Sequence, residues 1–208
     1  MPPRLDRFES QRCNSEVITA DNGAMDRVRE EAFIHQILTH AADYPWRMQE
    51  EIGLLGLRLD DRHEYRLHVW DPRYCVREPP VHDHPYDFVS TVIAGEITNT
   101  RYSEGLSGTE YRRIRYLTSD DRTRRIDTVR LSATSTTLTE GENYAQFANE
   151  LHDSRQQPGT VTIIRCSFKD VAELTVCLRD EDTFVSGRAR PATSDEVKHI
   201  TARALSWF

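Results

Sequence analysis

His82-Asp83-His84-Pro85-Tyr86-Asp87-Phe88-Val89-Ser90-Thr91-Val92-Ile93-Ala94-Gly95 is the stretch on which the reading of this chain turns. Two histidines one residue apart lead into an apolar, β-branched run that closes on glycine, the texture of a strand ended by a turn. Strand side chains alternate between faces, so histidines at i and i+2 project to the same side. Set that way, two imidazoles can both reach one metal ion at about 2.0–2.2 Å. Pro85 suits a strand start or a bulge, which places the pair at a rim. Tyr86, Phe88 and Ser90 share the parity of His84 and are expected on the floor of the same cavity.

Segments of the same texture lie on both sides of this stretch. Tyr65–Trp70, Ile97–Tyr102, Glu110–Leu117, Thr128–Leu131, Ser135–Leu138, Val161–Phe168 and Leu174–Leu178 alternate with Gly, Asp, Asn and Pro. Many short strands with turn signals between them predict an antiparallel sandwich or barrel, and without βαβ alternation a parallel sheet is not expected. Residues 60–180 are assigned to this barrel. Residues 1–59 are read as a helical extension packed on it. Ala24 to Thr39 sets Val28, Ala32, Ile34, Ile37 and Leu38 near one stripe, away from Arg27, Arg29, Glu30 and Glu31, and a second helix is expected from Pro45 to Leu55. Residues 181–208 end in a helix whose N-terminus is marked by Thr193 and Glu196 as a capping box. Val197, Ile200, Ala204 and Leu205 form its apolar stripe.

With 208 residues, 38% hydrophobic and 29% charged, the chain can bury a core. A net charge of −7 argues against a nucleic-acid backbone as partner. Arg112, Arg113 and Arg115, then Arg122, Arg124 and Arg125, are broken by Asp120 and Asp121 and read as a solvated hairpin. Lysine occurs only at 169 and 198, so arginine supplies the other basic residues, a coding bias rather than a function. No apolar run is long enough to span a membrane, and no signal-peptide region opens the chain, so a cytoplasmic protein is expected. The cysteines at 13, 75, 166 and 177 form no CxxC pair. A disulfide framework or cysteine zinc site is not expected, and Cys166 and Cys177 read as small buried hydrophobes.

A second segment completes the pattern: Tyr144-Ala145-Gln146-Phe147-Ala148-Asn149-Glu150-Leu151-His152, followed by Pro158-Gly159 and an apolar run. Together with His82, His84 and Gly95 it resembles the cupin superfamily, over roughly residues 63–180. That family's first motif is HxH, three or four residues, Glu, six residues and Gly; its second supplies one more histidine on a distant strand. The resemblance implies a jelly-roll β-barrel and a metal held by His82, His84 and His152.

The usual glutamate would fall at Phe88, which cannot bind a metal. Asp87 has the opposite parity and points away in a regular strand; re-aimed by a bulge at Pro85, it is the alternative ligand. Three neutral imidazoles leave a divalent ion its full charge and free positions. Zinc would suit Lewis-acid work, and iron(II) would suit oxygen chemistry. Within cupins, loss of the glutamate resembles the three-histidine thiol dioxygenases: cysteine dioxygenase, cysteamine dioxygenase and the plant cysteine oxidases. His82-Asp83-His84-Pro85 is similar to the HDHP of the last two. The resemblance implies Fe(2+), O2 as cosubstrate and a substrate that binds the iron. The thiol is not carried over, because the crosslinking cysteine of cysteine dioxygenase is replaced at Gly95 and Leu151-His152-Asp153-Ser154-Arg155 departs from those enzymes.

Candidate substrate contacts come from alternation. Arg66, His68 and Trp70 share one face of their strand, opposite Tyr65, Leu67 and Val69, and Arg66 would pair with an anion. His68 is also a candidate acid or base behind the metal ligands, since histidine titrates near neutral pH. Tyr86, Phe88, Tyr144 and Gln146 complete an aromatic, mixed-polarity wall suited to a small molecule, and Arg165 has the outward parity. The leading expectation is a mononuclear iron(II) oxygenase acting on a small polar substrate, a specialised tailoring enzyme being one fit. A metal-dependent non-redox isomerase, cyclase or lyase is the alternative, and a non-catalytic binding module the second. The oligomeric state stays open.

Overall fold

The computed structural model describes residues 20–62, 64–75, 80–117, 123–169, 171, 173–179 and 189–208. Its elements in chain order are α1 (Ala20–Thr39), β1 (Arg47–Gln49), β2 (Leu54–Arg58), β3 (Tyr65–Trp70), β4 (Val81–His82), β5 (Tyr86–Ala94), β6 (Glu96–Leu117), β7 (Thr123–Thr139), β8 (Asn143–Gln146), β9 (Leu151–Gln156), β10 (Thr160–Phe168), β11 (Glu173–Leu178), β12 (Arg190–Pro191) and α2 (Ser194–Leu205). They build a seven-stranded sheet, ordered β12-β1-β2-β3-β10-β5-β8, and a five-stranded sheet, ordered β11-β4-β9-β6-β7. Among the described residues every strand pair is antiparallel. The fold expected from the sequence, an antiparallel β-barrel with a helix toward each end, is the fold observed.

The larger sheet has two different faces because its strands alternate. Leu67 and Val69 of β3, with Leu55, Leu57 and Val161, pack under Ile34, Ile37 and Leu38 of α1 and Val197, Ile200 and Ala204 of α2. Each such aliphatic side chain, fully buried, contributes roughly 1.5–3 kcal/mol. The intervening residues turn toward the second sheet: Phe88, Ile164 and Cys166 form one cluster there, with Tyr86 and Tyr144 against it. Helix α2 starts where the capping box expects, with Thr193 Oγ1 accepting from the Glu196 N–H at 3.3 Å and Glu196 Oε2 accepting from Thr193 N–H at 2.8 Å. In the smaller sheet β6 pairs with β9 through its first half and with β11 through its second, while β4 joins β11 to β9. The bend this requires encloses Val81, Tyr111, Leu131, Leu151 and Cys177.

Several expectations are corrected. Pro45 to Leu55 is not a helix: β1, a 3-10 turn at Glu50–Ile52 and β2 occupy it. Trp46 and Met48, then Leu55 and Leu57, are buried two residues apart, the strand period. Gly53 makes the turn between them at φ 61, and a Cβ there would stand 2.4 Å from the Asp71 carbonyl oxygen. The β layer therefore begins at Arg47 rather than at 60, and β12 brings the C-terminal segment into the same sheet. In α1, Ala32 is exposed and Phe33 packs on the core instead; the side chains of Arg27, Val28 and Arg29 lie outside the described residues.

The paired segments Ile97–Tyr102 and Glu110–Leu117 are one strand, as are Thr128–Leu131 and Ser135–Leu138. The glycines at 105 and 108 make a bulge in β6 rather than a hairpin turn, since Glu104 and Thr109 both pair with Leu131. Arg113 is buried in that hairpin, donating to both carboxylate oxygens of Asp127. Arg122, the Arg124 side chain, Asp120, Asp121 and Cys13 lie outside the described residues. Cys166 and Cys177 are buried thiols, as expected. Among the described residues no helix is long and apolar enough to cross a membrane.

Candidate metal centre

His82, His84 and His152 come together where the chain crosses from the smaller sheet to the larger, their ligand atoms all within 4.8 Å of one another. The route differs from simple alternation along one strand. His82 ends β4 in the smaller sheet, whereas His84 lies in the crossing to β5 in the larger one. Backbone bonds hold that crossing: Asp83 N–H donates to Thr175 O, Asn149 N–H to His84 O, and Lys169 N–H to Pro85 O. Asp83 is buried and accepts from Thr175 N–H at 2.8 Å. His152 enters from β9, directly opposite His82 in the pairing of β4 with β9.

The imidazoles are oriented by partners that the sequence did not reveal. His82 Nδ1 stands 2.9 Å from the Pro80 carbonyl oxygen, which can only accept, so Nδ1 carries the proton and Nε2 keeps its lone pair. His152 Nδ1 stands 2.9 Å from Asn99 Oδ1, which sets the same tautomer. His84 Nε2 faces His152 Nε2 at 2.9 Å. Two nitrogens each about 2.1 Å from one ion, at right angles, stand about 3.0 Å apart. Burial pulls all three histidines below their ordinary range; the other ring histidines and Arg66 or Arg101 add to the effect at His84 and His152. They are therefore neutral imidazoles at neutral pH, the form that binds a metal. The donor set fits a divalent ion.

Among the described residues no carboxylate joins the group. Phe88, the position at which the sequence resemblance would expect a glutamate, sets its ring 5.2 Å from that of His84 and 5.8 Å from that of His152. Asp87, the alternative ligand, is turned away: its carboxylate accepts from Ala148 N–H at 2.9 Å and pairs with Lys169 Nζ at 3.0 Å. The bulge that would have re-aimed it does not form: β5 pairs with β10 in regular register from Tyr86 through Val92, opposite Phe168 through Thr162.

The inner face of the larger sheet carries the other sequence candidates. Arg66, Ile164, Ser90 and Tyr144 lie in one cross-strand row, and Cys166, Phe88 and Gln146 in the next. The Arg66 guanidinium lies over the Tyr86 and Phe168 rings at 5.1 and 5.7 Å and donates to Tyr86 Oη at 3.3 Å. Trp70 Nε1–H donates to Thr162 Oγ1, and the Trp70 ring meets His68 edge-on. Arg165 is exposed. Tyr144 and Gln146 belong to β8 rather than to the strand of His152, so their inward placement comes from their pairing with β5. Burial pushes the Tyr144 hydroxyl up to about 12. His68 does not titrate near neutral pH: burial first, and then Arg66, pull it down to about 3, so it stays uncharged and is a weak base.

Sequence reasoning missed Asn99 and Pro80. Asn99 sits between half-buried Thr98 and Thr100, two residues after buried Ile97; that parity was the local signal for its inward placement, but its partner His152 is on another strand.

No protein-family model matches this chain, and no curated protein does. Among solved structures it is similar to the polyketide cyclase RemF from Streptomyces resistomycificus, with 13% sequence identity, coverage of 80% of this chain and 94% of that chain, and a TM-score of 0.31. The chemistry of the centre is accordingly read from its own atoms.

Proposed function

We propose that this protein is a metal-dependent enzyme in which His82, His84 and His152 hold one divalent ion, and that it carries out iron(II)- and O2-dependent oxidation of a small polar molecule. The observation that carries the reading is the pair of Nε2 atoms at 2.9 Å, with the His152 Nδ1 committed to Asn99. When bound, iron(II) supplies a meeting place for O2 and substrate and a path for electrons between them. The chain's own residues do the rest. Asn99 and the Pro80 carbonyl fix the rings of His152 and His82, as partners behind metal-binding histidines commonly do. Phe88 adds an apolar wall and no negative charge. Arg66 draws an anionic substrate toward the histidines, and Trp70, Tyr86 and Tyr144 exclude water around it. The sequence resemblance to the three-histidine thiol dioxygenases supports iron as the metal; a thiol substrate is not part of the reading.

The non-redox alternative, a metal-dependent isomerase, cyclase or lyase, is favoured by one observation. Arg66 has no carboxylate partner among the described residues and reaches His84 electrostatically, so a second cation is available to stabilise an enolate oxygen near the ion. Purification without air, metal analysis and an oxygen electrode separate the readings. Stoichiometric iron, an iron–nitrosyl EPR signal that shifts with a candidate ligand, and O2 uptake are expected. Substrate conversion without O2 uptake would establish the alternative, and bound metal with no turnover would indicate a binding module.

A further inference from the structure

Among the described residues, three buried side-chain polar atoms, Arg66 Nε, His68 Nδ1 and Gln146 Oε1, have no hydrogen-bond partner, whereas Ser90 Oγ is engaged by the Tyr144 hydroxyl. All three sit on the inner face of the larger sheet, on β3 and β8. Leaving such atoms unpaired is costly, so their concentration on one wall marks a surface completed by a bound molecule. Gln146 is the most informative. It is fully buried, and its Nε2 donates to the Glu150 backbone oxygen at 3.1 Å and to Glu150 Oε2 at 3.3 Å. Turning the amide over would set its oxygen against two acceptors, so Oε1 is fixed as an acceptor and requires a donor. Arg66 Nε–H requires an acceptor, and because it belongs to a cation with no carboxylate partner among the described residues, an anionic acceptor is favoured.

We infer that the barrel binds a hydroxylated aromatic anion, with its acidic group at Arg66 and a hydroxyl donated to Gln146 Oε1. This rests on the reading of the histidine centre as a substrate site. Strands β3, β10, β5 and β8 are consecutive neighbours, so β3 and β8 lie three strand spacings apart, about 14 Å. That span suits a flat molecule of about two rings with polar groups at opposite ends. Trp70, Tyr86, Phe88 and Tyr144 provide the ring faces and edges for it, and Phe88 lies between the histidines and Tyr144. Gln146 thus selects for the hydroxyl, and Arg66 for the charge.

The test uses the full-length protein as purified, with metal content measured on the same sample. Three probes are titrated by calorimetry: 6-hydroxy-2-naphthoate, 2-naphthoate, which lacks the hydroxyl, and 2-naphthol, which lacks the carboxylate. The first should bind at least tenfold more tightly than either of the others. Gln146→Met should abolish its advantage over 2-naphthoate, and Arg66→Met its advantage over 2-naphthol. Should a variant fail to fold, the three-probe series on the parent protein decides. Equal affinities, or no binding of any probe, in a sample whose histidines hold metal would overturn this inference and leave the enzyme reading standing. The expected series in a protein that takes up no metal would uphold it and remove the metal instead.

Discussion

Asn99→Ala is the sharpest perturbation of the centre, because it leaves all three histidines in place. Asn99 and His152 are 4% and 3% exposed, and their contact is 2.9 Å. Removing the amide leaves His152 Nδ1–H without an acceptor in a site that water hardly enters. In the metal-free protein that should cost about 1–3 kcal/mol of stability. The effect on metal follows from the tautomer. Without Asn99, the His152 proton can move to Nε2, where His84 Nε2 stands 2.9 Å away to accept it, and the lone pair the metal needs is consumed. Loss of such a supporting partner typically lowers affinity about 10–100-fold, equivalent to about 1.4–2.7 kcal/mol. Asn99→Asp keeps an acceptor and should retain the metal. Competition against a chromogenic chelator under anaerobic conditions, with urea unfolding of the metal-free forms, measures both quantities. An Asn99→Ala protein that binds as tightly as the parent, while His152→Ala binds nothing, would refute the tautomer argument.

His82→Ala, His84→Ala and His152→Ala should each lose most of the metal by elemental analysis while keeping the parent's far-UV circular dichroism, and Asp87→Asn should lose none. Gly95→Ala should destabilise the fold by on the order of 1–3 kcal/mol in denaturant titration, because φ is 85° and the new Cβ would stand 2.9 Å from Thr160 Cα. Glu196 is held down to about 2, chiefly by Arg190, with burial opposing and Thr193 assisting. Its contribution to stability is therefore present above the ordinary carboxylate range and is lost as pH falls from about 4.5 toward 2. Glu196→Gln should lower stability at pH 7 by roughly 1 kcal/mol, with the difference vanishing at the acid end; a constant gap across pH would contradict the pairing with Arg190.

Wherever a decision is local, the amino-acid sequence determined it. The alternation of β3 separates Leu67 and Val69 from Arg66, His68 and Trp70, because neighbouring strand residues cannot share a face. Thr193 and Glu196 mark the start of α2, because a cap is completed within four residues. The same locality produced the errors. Pro45 to Leu55 carries residues acceptable in a helix, and only pairing with β3 and β12 draws it into strands. Gly105 and Gly108 suit a hairpin turn as well as a bulge, and the continuous partner β7 decides between them. At the centre, the spacing of His82 and His84 was legible, but their meeting depends on a crossing between two sheets. The turning away of Asp87 toward Lys169 and the locking of His152 by Asn99 also belong to the tertiary structure alone. Those contacts join residues 53 to 82 positions apart in the chain. No periodicity in a single segment encodes them; they exist only once both sheets have packed.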